Sequence, residues 1–303
     1  MATGSGAQAD VFGTGANQFT IDFVVISNAT NPVSGRGIVL TDYRTSVFEI
    51  TNGQWNKFKA EYGPVKGYPT GAYDGTSLVW GGDDCPTNMV SWYEAAQFVN
   101  WLNISTGHHA AYKFTGTQGQ DDYTYANWTA AEAAGGVNLR RHKDAYYFLP
   151  TEDEWVKAAY WNGTTMQDYA TRPGESVTQG NGLDGTGWNY MSWSGAYATD
   201  SHGPWNVGSG SRELNGTYDM MGNVFEWTES SWYANDYIEY ILHMTRGGSY
   251  QNDQSFLSLA NRGDVGSGSE FRGTGFRVAS IPEPSTMGLL VVGLGILARK
   301  MRK

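Results

Sequence analysis

Apolar and polar positions alternate through Gln18-Phe-Thr-Ile-Asp-Phe-Val-Val-Ile26 and then run apolar, which predicts a strand with one buried face. Val47-Phe-Glu-Ile50 predicts a second, shorter strand. Three later segments change to helical spacing. Thr51-Asn-Gly-Gln54, Ser91-Trp-Tyr-Glu94 and Thr151-Glu-Asp-Glu154 each set a hydroxyl three residues ahead of Gln or Glu. That is the pattern of a reciprocal helix cap, in which each side chain takes a backbone N–H that the first turn leaves unpaired. The caps open predicted helices over Gln54–Tyr62, Trp92–Leu102 and Glu152–Tyr160. Ala95, Phe98, Val99 and Leu102 share one face of the second, and Trp155, Ala158 and Ala159 one side of the third. These aromatics are expected in the core rather than at a site.

The intervening chain is less regular. Residues 106–144 are polar and Gly/Ala-rich and read as an elaborated loop with one hairpin. Residues 161–217 carry few regular signals, and so long a stretch in a compact domain needs a bound ion or buried rings to pin it. Thr245–Val278 reads as short strands joined by Gly-rich turns. No solenoid repeat or linker interrupts residues 10–280, so the expectation is one α+β domain, low in regular structure.

Composition narrows the function. Forty glycines with 12 Trp, 19 Tyr and 12 Phe in 303 residues suggest loops stapled by ring packing. A net charge of −10 argues against a nucleic-acid partner, which needs clustered Lys and Arg. The single cysteine, Cys85, excludes a disulfide framework, a Cys-rich zinc site and a CxxC redox centre. Neighbouring His108 and His109 point different ways and read as loop residues. Gly208-Ser-Gly-Ser211 and Gly266-Ser-Gly-Ser269 lack the strand before and helix after that a phosphate loop or nucleophile elbow requires. Asp83-Asp84 and Asp121-Asp122 read as exposed-loop carboxylates.

Both ends differ from the body. Ala7-Gln8-Ala9 has the small-x-small form of a signal-peptide cleavage site, so residues 1–9 are expected to be a signal-peptide remnant, although no apolar stretch precedes it. At the other end Pro282-Glu283-Pro284 leads into the uncharged run Met287–Ala298 and then Arg299-Lys300-Met301-Arg302-Lys303. Twelve helical residues reach about 18 Å, short of a ~30 Å hydrocarbon core. Residues 281–303 resemble the PEP-CTERM sorting signal of Gram-negative bacteria. That resemblance implies an exosortase-type partner, transient inner-membrane contact through 287–298, and export to the cell envelope or beyond.

A second resemblance spans the body. Phe48-Glu-Ile-Thr-Asn52, Asn88-Met-Val-Ser-Trp92, Phe148-Leu-Pro-Thr-Glu-Asp-Glu-Trp155, Tyr218-Asp-Met-Met-Gly-Asn-Val-Phe-Glu-Trp227, Arg246-Gly-Gly-Ser-Tyr250 and Gly273-Thr-Gly-Phe-Arg277 follow in order. Together they resemble the sulfatase-modifying-factor family, typified by the formylglycine-generating enzyme. The resemblance implies a variant of the C-type-lectin fold. It also implies structural calcium, one ion at Asp219, Gly222, Val224 and Glu226 and another at Asn189, Tyr190, Asp200 and His202. The enzyme's copper-binding cysteines would fall at Asn252 and Leu257, neither of which is a thiol, so copper is not expected. The extra helical domain that carries the iron-binding histidines of ergothioneine-type relatives has no counterpart here.

Two expectations follow. One is a calcium-stabilised binding or structural module, whose recognition loop would be Tyr250-Gln-Asn-Asp-Gln-Ser255 with Asn261, Arg262 and Asp264, facing a surface polysaccharide or protein. The other is an oxidoreductase-type enzyme acting on a peptide or small molecule by a cysteine-independent route, with groove residues Ser249, Tyr250, Asn252, Leu257 and Arg277, the last of which is expected rather to pair with a buried carboxylate in the core.

Overall fold

All three reciprocal caps form. Thr51, Ser91 and Thr151 accept the N–H of Gln54, Glu94 and Glu154, whose side chains take the cap residues' own N–H groups. They open α1 (Asn52–Tyr62), α2 (Trp92–Ser105) and α3 (Glu152–Tyr160). The computed structural model describes residues 7–65, 82–120, 122–199, 202–232 and 242–282. Residues 1–6, Asp121, Asp200 and the tail with its 287–298 run lie outside the described residues. Helix α2 runs one turn beyond the expected end because Asn103, fully buried, donates to both Val99 O and Tyr147 O and so ties that turn to the sheet.

The strands are β1 (Gln8–Phe12), β2 (Phe19–Ile26), β3 (Tyr43–Ser46), β4 (Lys113–Thr115), β5 (Thr124–Ala126), β6 (Ala133–Ala134), β7 (Asn138–His142) and β8 (Tyr147–Phe148). Beyond α3 come β9 (Phe225–Ser231), β10 (Leu242–Arg246), β11 (Gly263–Gly266), β12 (Thr274–Gly275) and β13 (Ala279–Ser280). One curled antiparallel sheet has the order β1-β2-β3-β13-β8; the second has β11-β10-β9-β12, in which β12 and β9 run parallel. The pairs β4-β5 and β6-β7 form two hairpins where one was expected.

One further expectation is corrected. The second strand lies at Tyr43–Ser46, four residues before the predicted Val47–Ile50. All four of its residues are buried although two are polar and one is charged. Arg44 pairs with Asp10 at 2.6 Å and donates to Ser280, which removes the cost of burying its charge. Val47–Ile50 instead turns inward and carries Glu49 into the core. At the N-terminal side, Gln8 and Ala9 pair with Phe23 and Asp22, so the sheet includes residues assigned above to a signal remnant.

Rings fill the core as expected. Around α1 and α2, Trp55, Phe58 and Phe98 pack within 5.1–5.9 Å of one another, with Trp92, Trp227 and Phe276. Around α3, Trp155, Tyr160, Trp188, Met220, Met221 and Leu257 form a second cluster. Among the described residues no helix is long and apolar enough to cross a membrane.

Candidate functional site

The irregular 161–217 stretch is pinned by buried polar side chains as well as rings. Asn215 Nδ2 donates to Ala158 O at 2.9 Å and to Trp161 O at 3.1 Å, closing the end of α3. Glu213 accepts from Trp188 Nε1, Thr217 Oγ1 and the N–H groups of Met220 and Met221, all at 3.0–3.2 Å. Asn223 is fully buried with a left-handed φ of 56°. Its amide donates to Glu49 Oε2 at 2.7 Å and accepts from Trp205 N and Asn189 Nδ2, while its own N–H reaches Asn189 O. Gly222 must be glycine here: φ is +80°, and a Cβ would sit 2.2 Å from Asn189 O.

At the centre stands Arg277, with no exposed surface. Its guanidinium grips Glu226 through two 2.6 Å bonds and donates to the carbonyls of Ser46, Val47 and Tyr218. Trp155 Nε1 also donates to Glu226 at 2.6 Å. Glu49, Glu213 and Asp219 share this chamber. Burial and the neighbouring Asp219 push Glu213 up to about 8, and burial pushes Asp219 up to about 6. Burial, with Asp219 and Glu226 close by, also raises Glu49 well above the ordinary carboxylate range.

These contacts bear on the expected calcium sites. Calcium needs six to eight oxygens, several of them anionic. Both oxygens of Glu226 already accept charged or polar N–H donors, and Asp219 accepts from Gly208 N at 2.7 Å. A guanidinium beside Glu226 supplies the positive charge that an ion would bring. Of the expected ligands, Asp219 and Glu226 thus already have hydrogen-bond partners within the chain. In the second set, the Tyr190 carbonyl accepts from Gln179, the Asn189 amide donates to Gly203 O and Asn223 Oδ1, and Asp200 lies outside the described residues. His202 is exposed and stacks on Tyr197 at 4.5 Å. No group of three or more His, Cys, Asp or Glu among the described residues is placed to hold a metal.

Four of the five expected groove residues lie inside, and Arg277 has the buried carboxylate partner expected of it. Ser249, Tyr250, Leu257 and Arg277 are all buried. Leu257 belongs to the α3 core, and its carbonyl accepts from Tyr160. Asn252 alone of the five is half-exposed, and its Oδ1 is held by the N–H and hydroxyl of Ser249 at 3.0 and 2.6 Å. What does face solvent is a loop the sequence did not single out. Met191 N donates to Asn252 O at 2.8 Å, which moors residues 191–199 beside the Tyr250–Ser255 segment. This loop presents Trp193 at 75% exposure, and Tyr197 lies 6.4 Å from Tyr250. Exposed Gln251 completes the face. Only a hint was available in sequence, the aromatic run Trp188 to Tyr197 inside a stretch without regular structure.

The signature residues Trp155, Asn223, Glu226 and Arg277 are all fully buried. Residues 12–281 match the sulfatase-modifying factor enzyme 1-like domain, and the chain belongs to that family. Residues 280–303 match the PEP-CTERM protein-sorting motif, which indicates export to the cell envelope or extracellular space and recognition by exosortase-type sorting machinery. Among solved structures, CarF superposes with a TM-score of 0.61 at 21% identity, covering 87% of this chain and 99% of its own. Treponema denticola variable protein 1 gives 0.59 at 21%, covering 90% and 99%. PvdO from Pseudomonas aeruginosa gives 0.56 at 17%, covering 90% and 98%. These likenesses show the fold. A relative from Paenibacillus barcinonensis, chaperone protein LppX, is 25% identical over 213 residues, 64% of this chain and 64% of its own length.

Proposed function

We propose that the chain is an exported recognition module. It binds a surface polysaccharide or protein with the face formed by Trp193, Tyr197, Gln251 and Asn252, and does not form formylglycine through copper. The observation that carries this reading is Trp193, a large apolar ring held 75% exposed on a loop moored to Asn252. Tryptophan is rarely left so open, and aromatics beside amide side chains are the chemistry of binding faces. Burial of Ser249, Tyr250, Leu257 and Arg277 favours recognition over a catalytic groove. Cys85 is buried too, its Sγ 3.3 Å from Asn206 Oδ1, and burial raises its thiol pKa, so it is a poor nucleophile or metal ligand.

The test is a binding screen of the intact protein against bacterial surface glycans and envelope proteins, with Trp193→Ala alongside. A ligand whose affinity drops about tenfold or more in the variant is expected. Conversion of a cysteine peptide to formylglycine by the copper-loaded protein would overturn the reading.

A further inference from the structure

The loop that carries Trp193 is braced from within. Ser192 N donates to Ala196 O at 2.8 Å and Gly195 N to Ser192 O at 2.9 Å. Ala196 N donates to Ser192 Oγ at 3.1 Å, and Gly195 takes the left-handed φ of 81° that this turn needs. From outside, Gln179 Nε2 donates to Tyr190 O at 2.6 Å and to Ala196 O at 3.0 Å. Trp193 therefore stands on a fixed tip, and its exposure is built in. Met191, two residues before it, bonds to Asn252, and two residues span at most about 7 Å, so Trp193 and Asn252 are neighbours. Ser249 pins Asn252 Oδ1. Asn252 Nδ2 makes no bond among the described residues and is not enclosed, which leaves a donor of fixed direction toward solvent. Gln251 beside it is exposed.

Charge and area decide what such a face can hold. Residues 188–199 contain no Asp, Glu, Lys or Arg, and residues 247–259 contain one acid, Asp253, and no base. Asp253 Oδ1 is taken by the N–H and hydroxyl of Ser255 at 2.9 and 2.6 Å. One cation stands near: burial and Tyr197 push the Tyr250 phenol up to about 12, and Arg272 pulls the other way. These two charges are opposite in sign, so the face has no net charge to draw a polyanion or a polycation. Trp193 is also the one large apolar side chain left exposed in the two segments. An indole buries roughly 150–250 Å² when covered, against about 800 Å² on each partner of a stable protein interface. One ring is too little for the apolar centre of a protein contact, and it matches the C–H face of a single sugar ring. The uncharged amides of Gln251 and Asn252 can meet sugar hydroxyls without desolvating a charge.

We propose that the ligand of this face is a neutral polysaccharide, one pyranose ring lying against Trp193 and its hydroxyls bonded by Asn252 and Gln251. The proposal rests on the recognition role argued above and narrows it. The test is calorimetric titration of the intact protein with cellohexaose, maltohexaose and mannohexaose, and with oligogalacturonate as the acidic probe. At least one neutral hexamer binds, and about 0.5 M salt leaves its affinity unchanged. Trp193→Ala lowers that affinity about tenfold or more, and Trp193→Tyr, which keeps an aromatic ring, restores most of it. Gln251→Ala lowers it about fivefold, the loss expected for one uncharged hydrogen bond. All three variants alter exposed side chains and keep the native melting temperature, so their loss of binding is not a loss of fold. Failure of every neutral hexamer to bind, tighter binding of oligogalacturonate, or an affinity that falls with salt would overturn the neutral-polysaccharide proposal. Each leaves the recognition role standing if an envelope protein or charged glycan is bound by the wild type and lost in Trp193→Ala. A neutral hexamer bound equally by wild type and Trp193→Ala would overturn both, since the ligand then sits elsewhere.

Discussion

Asn223 shows how much a single amide can hold. It links residues 49, 189, 205 and 250 through side-chain and backbone bonds, in a backbone conformation that asparagine tolerates better than most residues. Asn223→Asp keeps the shape but removes the N–H that donates to Glu49 and sets a second carboxyl against it. The expected loss is about 3 kcal/mol or more, seen as a lower urea midpoint with an unchanged slope. None of this was legible in the sequence. The motif around Asn223 marked the family, but its partners lie 18 to 174 positions away. The same limit hid the burial of Ser249 and Leu257, whose surroundings are built by α3 and by segments far along the chain. Arg277 was legible as a residue of consequence, but not which carboxylate it would meet.

Local signals fared better at the scale of elements. Each helix start was readable because a cap is a contract between residues three apart, and all three form. Thr151→Ala removes the hydroxyl that holds Glu154 N at 3.2 Å. It should cost about 1 kcal/mol, measured by thermal or urea unfolding. The loss should exceed that of a surface cap, since Glu154 also holds Arg141. Strand β3 was missed because Tyr-Arg-Thr-Ser has no apolar alternation; its burial depends on Asp10 and Ser280, supplied by β1 and β13. The two hairpins within 106–144 were likewise set by turns rather than by hydrophobic pattern.

Across the whole molecule, the carboxylates around Arg277 make stability depend on pH. Glu213 binds its proton more tightly folded than unfolded, with a folded pKa of about 8 against an ordinary 4.5, and Glu49 shifts the same way. The folded state therefore holds more protons, and stability falls as pH rises from the ordinary carboxylate range through about 8. Glu154, held low by Arg141 despite burial, acts oppositely and loses its contribution only in acid. Melting temperature should accordingly peak at mildly acidic pH and decline by several degrees toward pH 8 and above. Because Arg277 supplies the central cation, a chelator should move that curve little; a large drop on chelation, with calcium bound at one or two ions per chain, would restore the metal-held frame. The position of β13 and Arg277 has a further consequence, in time rather than space. β13 lies between β3 and β8, and Arg277 ties residues 46, 47, 218 and 226 together. Neither the first sheet nor the buried chamber can close until the ribosome has passed residue 280. Export machinery that engages the chain earlier meets an open polypeptide, so the fold is suited to being threaded across a membrane and completed on the far side.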